Sequence, residues 1–236
     1  MLASTMSQTE ANHPVLDVPQ KAPSLADWIR HAGSKVMQAR EHVFFEGDAI
    51  THIYQVEQGT VCLYKTLQDG RRQIVDFAQP GDFVGLGTGD EHLLGAQTIA
   101  LTRLRCLPAG ALYEVAWHNP EIGMQLYRAL SDQLLAAHDL LLTVGQRNAT
   151  ERLATLLLAL SRRNERCGAN RARIALAMTR ADIADFLSLT VETVSRTFTK
   201  LRQSGLIDLV HSSLVLIKDR DALEQLAAGE ANAGAL

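Results

Sequence analysis

A series of short apolar segments in residues 36–107 is the first regular pattern in the chain. The segments are rich in Val, Ile, Tyr, Phe and Thr, and they are separated by Gly47, Gly59, Asp69-Gly70 and Pro80-Gly81-Asp82. Turn residues between such segments are typical of an all-β sandwich or barrel. Asp69-Gly70 marks the clearest hairpin, because glycine tolerates the positive φ that a tight turn demands. The pattern therefore predicts an antiparallel β domain.

Helical periodicity flanks this β region. Ser24 with Asp27 predicts a short helix before it, and Asn119-Pro120-Glu121 predicts the start of a long helix after it. Along the long helix, apolar residues recur at alternating steps of four and three: Leu130, Leu134, Ala137, Leu141 and Val144. Such a seam packs either on an identical helix across a two-fold axis or on the protein's own β domain. The periodicity alone leaves both possibilities open.

Two short helices joined by a tight turn are predicted in residues 179–204. Thr179 and Asp182 have the form of a capping box, which marks the start of the first helix. Ser188-Leu189 interrupts the helical pattern, and Thr190 can cap a second helix. Residues 206–217 then predict a small hairpin. A helix-turn-helix followed by a two-stranded wing is a DNA-binding arrangement whose second helix enters the major groove.

The second of these helices separates into two faces. Its apolar stripe, predicted to face the core, contains Val191, Val194, Phe198 and Leu201. The opposite face contains Glu192, Ser195, Arg196, Thr199 and Lys200. Arg196 can bond the two acceptors of guanine, Glu192 can accept from the cytosine amino group, and Ser195 can do either. The alternative is an ordinary surface pair between Glu192 and Arg196, but the capped first helix and the wing favour base reading.

Contacts with the DNA backbone are expected from side chains around the two helix starts and further along the second helix. These residues are Thr179, Arg180, Thr190, Thr193, Thr199 and Lys200. The distribution of charge agrees with such a role. The chain has a net charge of −3, but residues 1–146 carry 10 Lys and Arg against 16 Asp and Glu, whereas residues 147–220 carry 13 against 7. A basic C-terminal part suggests that only this part faces a polyanion.

Composition excludes several other classes of protein. The hydrophobic fraction of 47% and the charged fraction of 21% are those of a globular protein. No apolar run approaches the roughly 18 residues of a membrane helix, and no secretion signal is visible, so a cytoplasmic protein without membrane contact is expected. Cys62, Cys106 and Cys167 form no paired spacing. No GxSxG, HExxH or P-loop motif supports an enzyme, and no cofactor is expected.

From about residue 30 to 225 the chain resembles the CRP/FNR superfamily of bacterial transcription regulators. The resemblance is strongest from Met178 to Arg196, which is similar to the recognition segment of the FNR branch, and it includes Gly59-x-Val61 and Pro80-Gly81-Asp82-Phe83-x-Gly85. It implies an α+β fold: an antiparallel β-roll of the cyclic-nucleotide-binding type, a long dimerisation helix and a C-terminal winged helix-turn-helix. The predicted divisions are a flexible leader (1–24), the β-roll (25–118), the dimerisation helix (119–146), the DNA-binding domain (147–225) and a tail (226–236).

The chain departs from the family pattern at its sensory sites. Where cyclic-AMP receptors hold the ligand phosphate with Gly-Glu and Arg-Ser pairs, this chain has Gly85-Leu86 and Ala96-Gln97, so a buried phosphate would lack a charged partner. Residues 1–35 contain no cysteine for an iron–sulfur cluster, and Cys106 alone cannot hold one. Cys167, near several arginines, could be a reactive thiol or an ordinary loop residue. Ser188 stands where the turn usually has Gly, at a cost of about 1 kcal/mol if φ is positive.

The remaining resemblance is to the FixK-like subgroup, which has FNR-type DNA specificity without the oxygen sensor. It implies a homodimeric regulator, expected to be an activator, that binds inverted repeats with TTGA-type half-sites in double-stranded DNA. Its implied setting is gene control under oxygen limitation or nitrogen fixation, with RNA polymerase as a further partner through residues 85–91 or the Cys167 loop. The alternative is a regulator gated by an effector such as heme or nitric oxide.

Overall fold

The computed structural model describes residues 24–87 and 89–230. The helices are α1 (Leu25–His31), α2 (Ala109–His118), α3 (Pro120–Gln146), α4 (Ala149–Arg166), α5 (Arg180–Leu187), α6 (Val191–Gln203) and α7 (Arg220–Ala228). The strands are β1 (Gly33–Met37), β2 (His42–Phe44), β3 (His52–Gln58), β4 (Val61–Thr66), β5 (Arg72–Ala78), β6 (Phe83–Val84), β7 (Gly95–Thr98), β8 (Thr102–Pro108), β9 (Arg173–Ala175), β10 (Ile207–His211) and β11 (Leu214–Ile217). The predicted flexible leader lies outside the described residues, apart from Ser24.

The first eight strands form the predicted antiparallel β-roll. They make two four-stranded sheets, ordered β1-β8-β3-β6 and β2-β7-β4-β5. The hairpin at Asp69-Gly70 joins β4 to β5, where Thr66 pairs with Arg72 and Gly70 has a φ of 81°. Val56, Val61 and Leu104 contribute to a buried core within the roll. The α+β fold class predicted from the sequence is confirmed, with strands confined mainly to the N-terminal half.

Helix α3 is fixed to the β-roll near its start and leaves it further on. Asn119 caps the helix by accepting from the N–H groups of Glu121 and Ile122. Ile122 and Leu126 are buried, and Gln133 donates from Nε2 to the carbonyl oxygen of Phe83 at 2.7 Å. Helix α2 was not predicted, because the residue at its cap, Pro108, supplies no side-chain hydrogen bond. The β-roll therefore ends in two consecutive helices, of which α3 is the long one.

The C-terminal unit is built around helix α4. Its start is a capping box between Asn148 and Glu151, and Leu153 and Leu157 are buried against the helices that follow. Strands β10 and β11 form the predicted hairpin, to which β9 adds a third strand in the order β10-β11-β9. Strand β9 was not predicted because it is only three residues long. These elements together provide the core on which the helix-turn-helix rests.

The last helix extends beyond the predicted domain boundary between residues 225 and 226. Helix α7 runs to Ala228 and ends at Gly229, which has a φ of 77° and so suits the left-handed turn after a helix. Leu226 and Ala227 are buried in the same core as Leu153. These two residues therefore belong structurally to the C-terminal unit rather than to a tail.

Helix α5 of the C-terminal unit contacts the β-roll, as does Arg163 of α4, whose Nη1 lies 2.7 Å from the Asp82 carboxylate. The side chain of Asp182 is completely buried and lies 2.7 Å from Nη2 of Arg72 in β5. The rings of Phe77 and Phe186 pack with their centroids 5.0 Å apart. Residues of β4 and β5, including Ile74, share one continuous apolar core with α4, α5 and α6. The β-roll thus supports the helix-turn-helix directly, in addition to the covalent connection through α3 and α4.

Candidate nucleic-acid interface

The helix-turn-helix is formed by capping interactions that the sequence predicted. The Thr179 hydroxyl and the Asp182 carboxylate close a capping box at the start of α5. Helix α5 ends at Ser188, whose φ of 53° and ψ of 51° place it in the left-handed region. Thr190 then caps α6 by accepting from the N–H group of Thr193 at 3.1 Å. The left-handed turn at Ser188 is what turns the chain sharply enough to bring α6 against α5.

Helix α6 has a buried apolar face and an exposed polar face. Val194, Phe198 and Leu201 are at most 1% exposed and pack against α4 and α5. The polar residues predicted for the opposite face are all exposed: Glu192, Ser195, Arg196, Thr199 and Lys200. The amphipathic division of this helix is therefore present as predicted for these residues.

Val191 is the exception to the predicted buried stripe. Its side chain is 47% exposed, because the core that covers Val194 does not extend to the first turn of α6. Val191 is four residues before Ser195, whose hydroxyl donates to its carbonyl oxygen at 2.9 Å, so the two lie on one side of the helix. The prediction that Val191 faces the core is wrong. It is an apolar group at the exposed end of the helix, able to contact a thymine methyl group.

The charged residues proposed to read bases remain available for an external partner. Within the described residues, no ion pair joins Glu192 to Arg196, so the alternative of a simple surface pair is not realised in this structure. Ser195 and Thr199 donate their hydroxyl hydrogens to carbonyl oxygens four residues earlier, at 2.9 and 3.1 Å. Their oxygens can still accept hydrogen bonds, since a hydroxyl has two lone pairs.

The side chains proposed to contact the DNA backbone are not equally free. Thr179 donates to Asp182 at 2.7 Å, and the hydroxyls of Thr190 and Thr193 lie 2.9 Å apart. Arg180 stacks on Phe198, with Cζ 3.4 Å from the ring centroid, and its burial lowers the pKa of its guanidinium. Lys200 and Thr199 stand on the open face of α6. Thr179 and Thr190 are also exposed, whereas Arg180 and Thr193 are half-buried.

The wing is a hairpin whose turn is exposed. Strands β10 and β11 pair in antiparallel register, with an irregularity between Leu209 and His211. At the tip, the hydroxyl of Ser213 and Nδ1 of His211 are 3.0 Å apart, and Val210 is 56% exposed. The sequence predicted this hairpin but assigned none of its residues to the interface. The sequence feature that could have placed the hairpin at the interface is the Ser212-Ser213 turn, because it comes directly after a helix-turn-helix.

The seam predicted on α3 is largely uncovered. Leu130, Leu134 and Leu141 are 40%, 58% and 70% exposed, Ala137 is exposed, and Val144 is half-buried. Tyr127, at 65% exposed, extends the same apolar stripe toward the start of the helix. Leu126, which helps to bind α3 to the β-roll, is four residues before Leu130, so the stripe continues from the buried start of the helix into its uncovered part. Among the described residues, the leucines of the seam are therefore left largely uncovered by the protein's own β domain.

Aromatic and histidine side chains pack closely in the β-roll near Gly95 and Gln97. The Tyr64 ring lies so close to Gly95 that a Cβ atom there would come within 2.6 Å of it. The Tyr64 hydroxyl is 3.1 Å from Nδ1 of His42, and the rings of Phe44 and His92 stack with centroids 3.5 Å apart. Gln97 donates to the carbonyl oxygen of Arg40 and accepts from Nη1 of Arg72.

The three cysteines have different surroundings. Cys62 is buried, and burial raises the pKa of its thiol to about 11, so it behaves as an apolar core residue. Burial also raises the pKa of Cys106, whereas Cys167 is exposed. Among residues 24–87 and 89–230, no group of three or more His, Cys, Asp or Glu side chains is arranged to hold a metal. None of the described helices is long and apolar enough to cross a membrane.

Comparisons with known proteins match both halves of the chain. A family model of the Crp-like helix-turn-helix domain matches residues 151–226, and one of the cyclic nucleotide-binding domain matches residues 34–116. The nitrogen fixation regulation protein FixK of Azorhizobium caulinodans is 39% identical over 203 residues, covering 85% of this chain and 82% of its own. FixK of Bradyrhizobium diazoefficiens is 38% identical over 204 residues, covering 85% and 84%. The solved structure of FixK2 from Bradyrhizobium japonicum is 35% identical with a TM-score of 0.78, covering 83% of this chain and 96% of that one.

Proposed function

This chain belongs to the CRP/FNR family of DNA-binding transcription regulators, in which it is FixK-like, and we propose that it binds an inverted repeat as a homodimer. The observation that carries this proposal is the exposed edge of α6 formed by Glu192, Ser195 and Arg196. Its polar groups face solvent while the opposite side of the same helix is buried. A recognition helix needs this combination, because its core side must be rigid while its outer side reads base edges.

The proposed half-site resembles TTGA, as in the FNR branch. Arg196 would bond the guanine acceptors, Glu192 would accept from the cytosine amino group of the same or an adjacent pair, and Val191 would contact a thymine methyl group. Thr199 and Lys200 would contact phosphates and fix the register of the helix. Thr179, Arg180, Thr190 and Thr193 are proposed to supply further backbone contacts, with Arg180 using the guanidinium edge that the stacked ring leaves open.

Dimerisation would occur along α3 through Leu130, Leu134, Ala137, Leu141 and Val144. Two parallel copies of this helix would bring the two α6 helices to half-sites about one turn of DNA apart. The uncovered leucines support the proposal, because an apolar stripe of this length on a globular chain marks a protein contact. The FixK relatives are named for the regulation of nitrogen fixation, and we propose an activator's role for this chain in gene control of that kind or under oxygen limitation.

The experiment is DNase footprinting of the untreated protein on TTGA-type palindromes, followed by binding of Arg196→Ala. The variant is expected to lose roughly 1–3 kcal/mol of binding free energy and to relax discrimination at the guanine pair. Arg202→Ala is the matched control, since it removes the same charge from the last turn of α6. The proposal fails if Arg196→Ala and Arg202→Ala show the same base discrimination as the wild-type protein.

RNA polymerase is proposed to contact the loop that contains Asp90 and Glu91, both of which are exposed. The loop is held in place because Ile50 donates its N–H to the carbonyl oxygen of Asp90 at 2.9 Å. The Cys167 loop is the second candidate for this contact. The double variant Asp90→Asn, Glu91→Gln is expected to reduce transcription in a purified system without weakening the footprint. Equal transcription at equal promoter occupancy would exclude this loop.

A further inference from the structure

The contact between the β-roll and helix α5 is centred on one arginine. Arg72 in β5 donates from Nη2 to Asp182 at 2.7 Å and to Asp185 at 3.0 Å, and from Nε to Asp185 at 3.1 Å. Its third nitrogen, Nη1, donates to Oε1 of Gln97 at 3.2 Å. Nε and Nη2 therefore join the β-roll to Asp182 and Asp185 of α5, while Nη1 anchors the guanidinium to Gln97 within the β-roll. A planar guanidinium bonded in this way fixes orientation as well as distance.

Asp182 accepts hydrogen bonds both from the helix-turn-helix and from the β-roll. Its side chain is completely buried, and it accepts from Thr179 within α5 as well as from Arg72 and Arg40 of the β-roll. Burial alone would raise the pKa of Asp182, but the hydrogen bonds from Thr179 and Arg72 and the charge of Arg40 lower it overall. A buried carboxylate with these partners stays ionised, so loss of an arginine partner would leave an uncompensated charge.

Two strained backbone positions lie at this contact. Arg40 and Ser188 are the non-glycine residues with positive φ, 71° and 53°, in the described part of the chain. The Arg40 side chain reaches Asp182, and the Ser188 hydroxyl donates to Oε1 of Gln73 at 3.1 Å. Such conformations cost about 1–2 kcal/mol each and persist where the surrounding contacts fix them. The two are thus concentrated where the β-roll meets the turn of the helix-turn-helix.

The contact leaves the DNA-reading face of α6 open. Asp182 and Asp185 lie on the side of α5 that faces Arg72 of the β-roll. Glu192 and Arg196 remain exposed on the following helix, α6. The covalent link from α3 to the C-terminal unit is short, since only Arg147 and Asn148 lie between α3 and α4. The docking of α5 on the β-roll is therefore one of the contacts that orient α6 relative to α3. Another is made by Arg152 of α4, which donates to the carbonyl oxygens of Val144 in α3 and Leu187 in α5.

We propose that Arg72 is a positioning residue for DNA recognition, and that its ion pairs with Asp182 and Asp185 fix α6 at the angle that fits both half-sites at once. Arg72 contacts no DNA in this proposal, which rests on the homodimer and inverted repeat proposed above. A dimer gains affinity on a palindrome only if both recognition helices reach their half-sites without distortion. Arg72 therefore determines the preferred spacing of the half-sites rather than their sequence.

The test compares Arg72→Ala, Arg72→Lys and the wild-type protein on three kinds of DNA. These are the full palindrome, palindromes with the spacer lengthened or shortened by one base pair, and a duplex with a single half-site. Arg72→Ala is expected to lower affinity for the full palindrome about tenfold, to keep the single-site affinity and to flatten the dependence on spacer length. Arg72→Lys keeps the charge and is expected to restore part of the spacing preference.

Arg71→Ala is the matched control, because Arg71 is the neighbouring arginine, 77% exposed, and pairs only with Asp69 in the hairpin. It should behave as the wild-type protein on all three DNAs. If Arg72→Ala does not fold, Asp185→Asn removes one carboxylate of the contact at a side chain that is 34% exposed and is tested in the same way.

Three outcomes overturn the proposal. Tighter palindrome binding by Arg72→Ala would mean that the docked arrangement inhibits binding, and an unchanged spacer preference would mean that Arg72 has no positioning role. An equal loss on the palindrome and the single half-site would indicate damage to the helix-turn-helix itself. Failure of the proposed function looks different, since the wild-type protein would then show no preference for any palindrome over a single half-site.

Discussion

Helices α3 and α6 each present a face that the rest of the chain does not cover, but the two faces differ in chemistry. On α3 the uncovered face is apolar, with Leu134 58% and Leu141 70% exposed. On α6 the apolar residues other than Val191 are buried, with Phe198 1% exposed, and the uncovered face carries charged and hydroxyl side chains. Both helices are amphipathic, but the apolar face of α3 is largely exposed, whereas that of α6 is packed against the core of the chain.

The difference indicates what kind of partner each face fits. Exposed leucines gain roughly 25 cal/mol for each Å² removed from water, so the α3 face is best satisfied by another apolar surface such as its own copy. The α6 face loses hydration when it is covered, and only a partner with matching acceptors and negative charge compensates for that loss. One face therefore predicts association with protein and the other predicts association with nucleic acid.

The largest expected effect comes from a substitution in the buried apolar face of α6. Phe198→Ala removes a ring that is buried in the core and stacked by Arg180, so the C-terminal unit should lose about 3–5 kcal/mol of unfolding free energy. Urea unfolding followed by circular dichroism measures this loss. The control is Thr199→Ala on the exposed face, which should change stability by less than about 0.5 kcal/mol. Similar losses for both variants would contradict the division of α6 into two faces.

A carboxylate in the apolar face of α3 should separate the dimer without unfolding the chain. Leu134→Asp places two like charges opposite each other across the two-fold axis, and palindrome binding should fall by about 100-fold or more as bivalency is lost. Sedimentation analysis gives the oligomeric state directly. Ala136→Asp adds the same charge at an exposed position on another side of α3 and should remain dimeric. A dimeric Leu134→Asp protein would rule out this face as the interface.

A smaller effect is expected from salt, which should weaken DNA binding through α6 more than dimerisation through α3. DNA binding through α6 releases counterions, so Lys200→Ala should weaken binding a few-fold at all sequences and reduce the salt slope by about one. Dimerisation through the apolar face of α3 should be almost unaffected over the same salt range. Binding titrations and sedimentation at two salt concentrations test both statements. A steep salt dependence of dimerisation would mean that charges rather than leucines hold the two chains together.

Much of the fold and of the exposed edge of α6 could be predicted because the signals are local. The capping boxes at Ser24 and Thr179 each depend on a partner three residues away, and the hairpin at Asp69-Gly70 depends on adjacent residues. The helical spacing of Glu192, Ser195 and Arg196 put these residues on one exposed edge. In each case the interacting groups lie within one or two turns of the chain, so their order in the sequence is sufficient.

Other features could not be predicted, because they depend on residues far apart in the sequence. Periodicity placed Val191 in the core, but its exposure depends on where the neighbouring helices end. Helix α2 lacks a side-chain cap, and β9 is a strand only because β11 pairs with it. Periodicity also could not show that Leu134 would be left uncovered by the β-roll.

The sequence by itself determined that Glu192, Ser195 and Arg196 share one edge of a helix, because side-chain chemistry and helical spacing are properties of one short segment. The tertiary structure decided how that segment is oriented. Arg72 and Asp182 are 110 residues apart, and no periodicity in either segment links them. Only the packing of α5 on the β-roll brings the two together, since it buries the carboxylate where arginine is its available counter-charge.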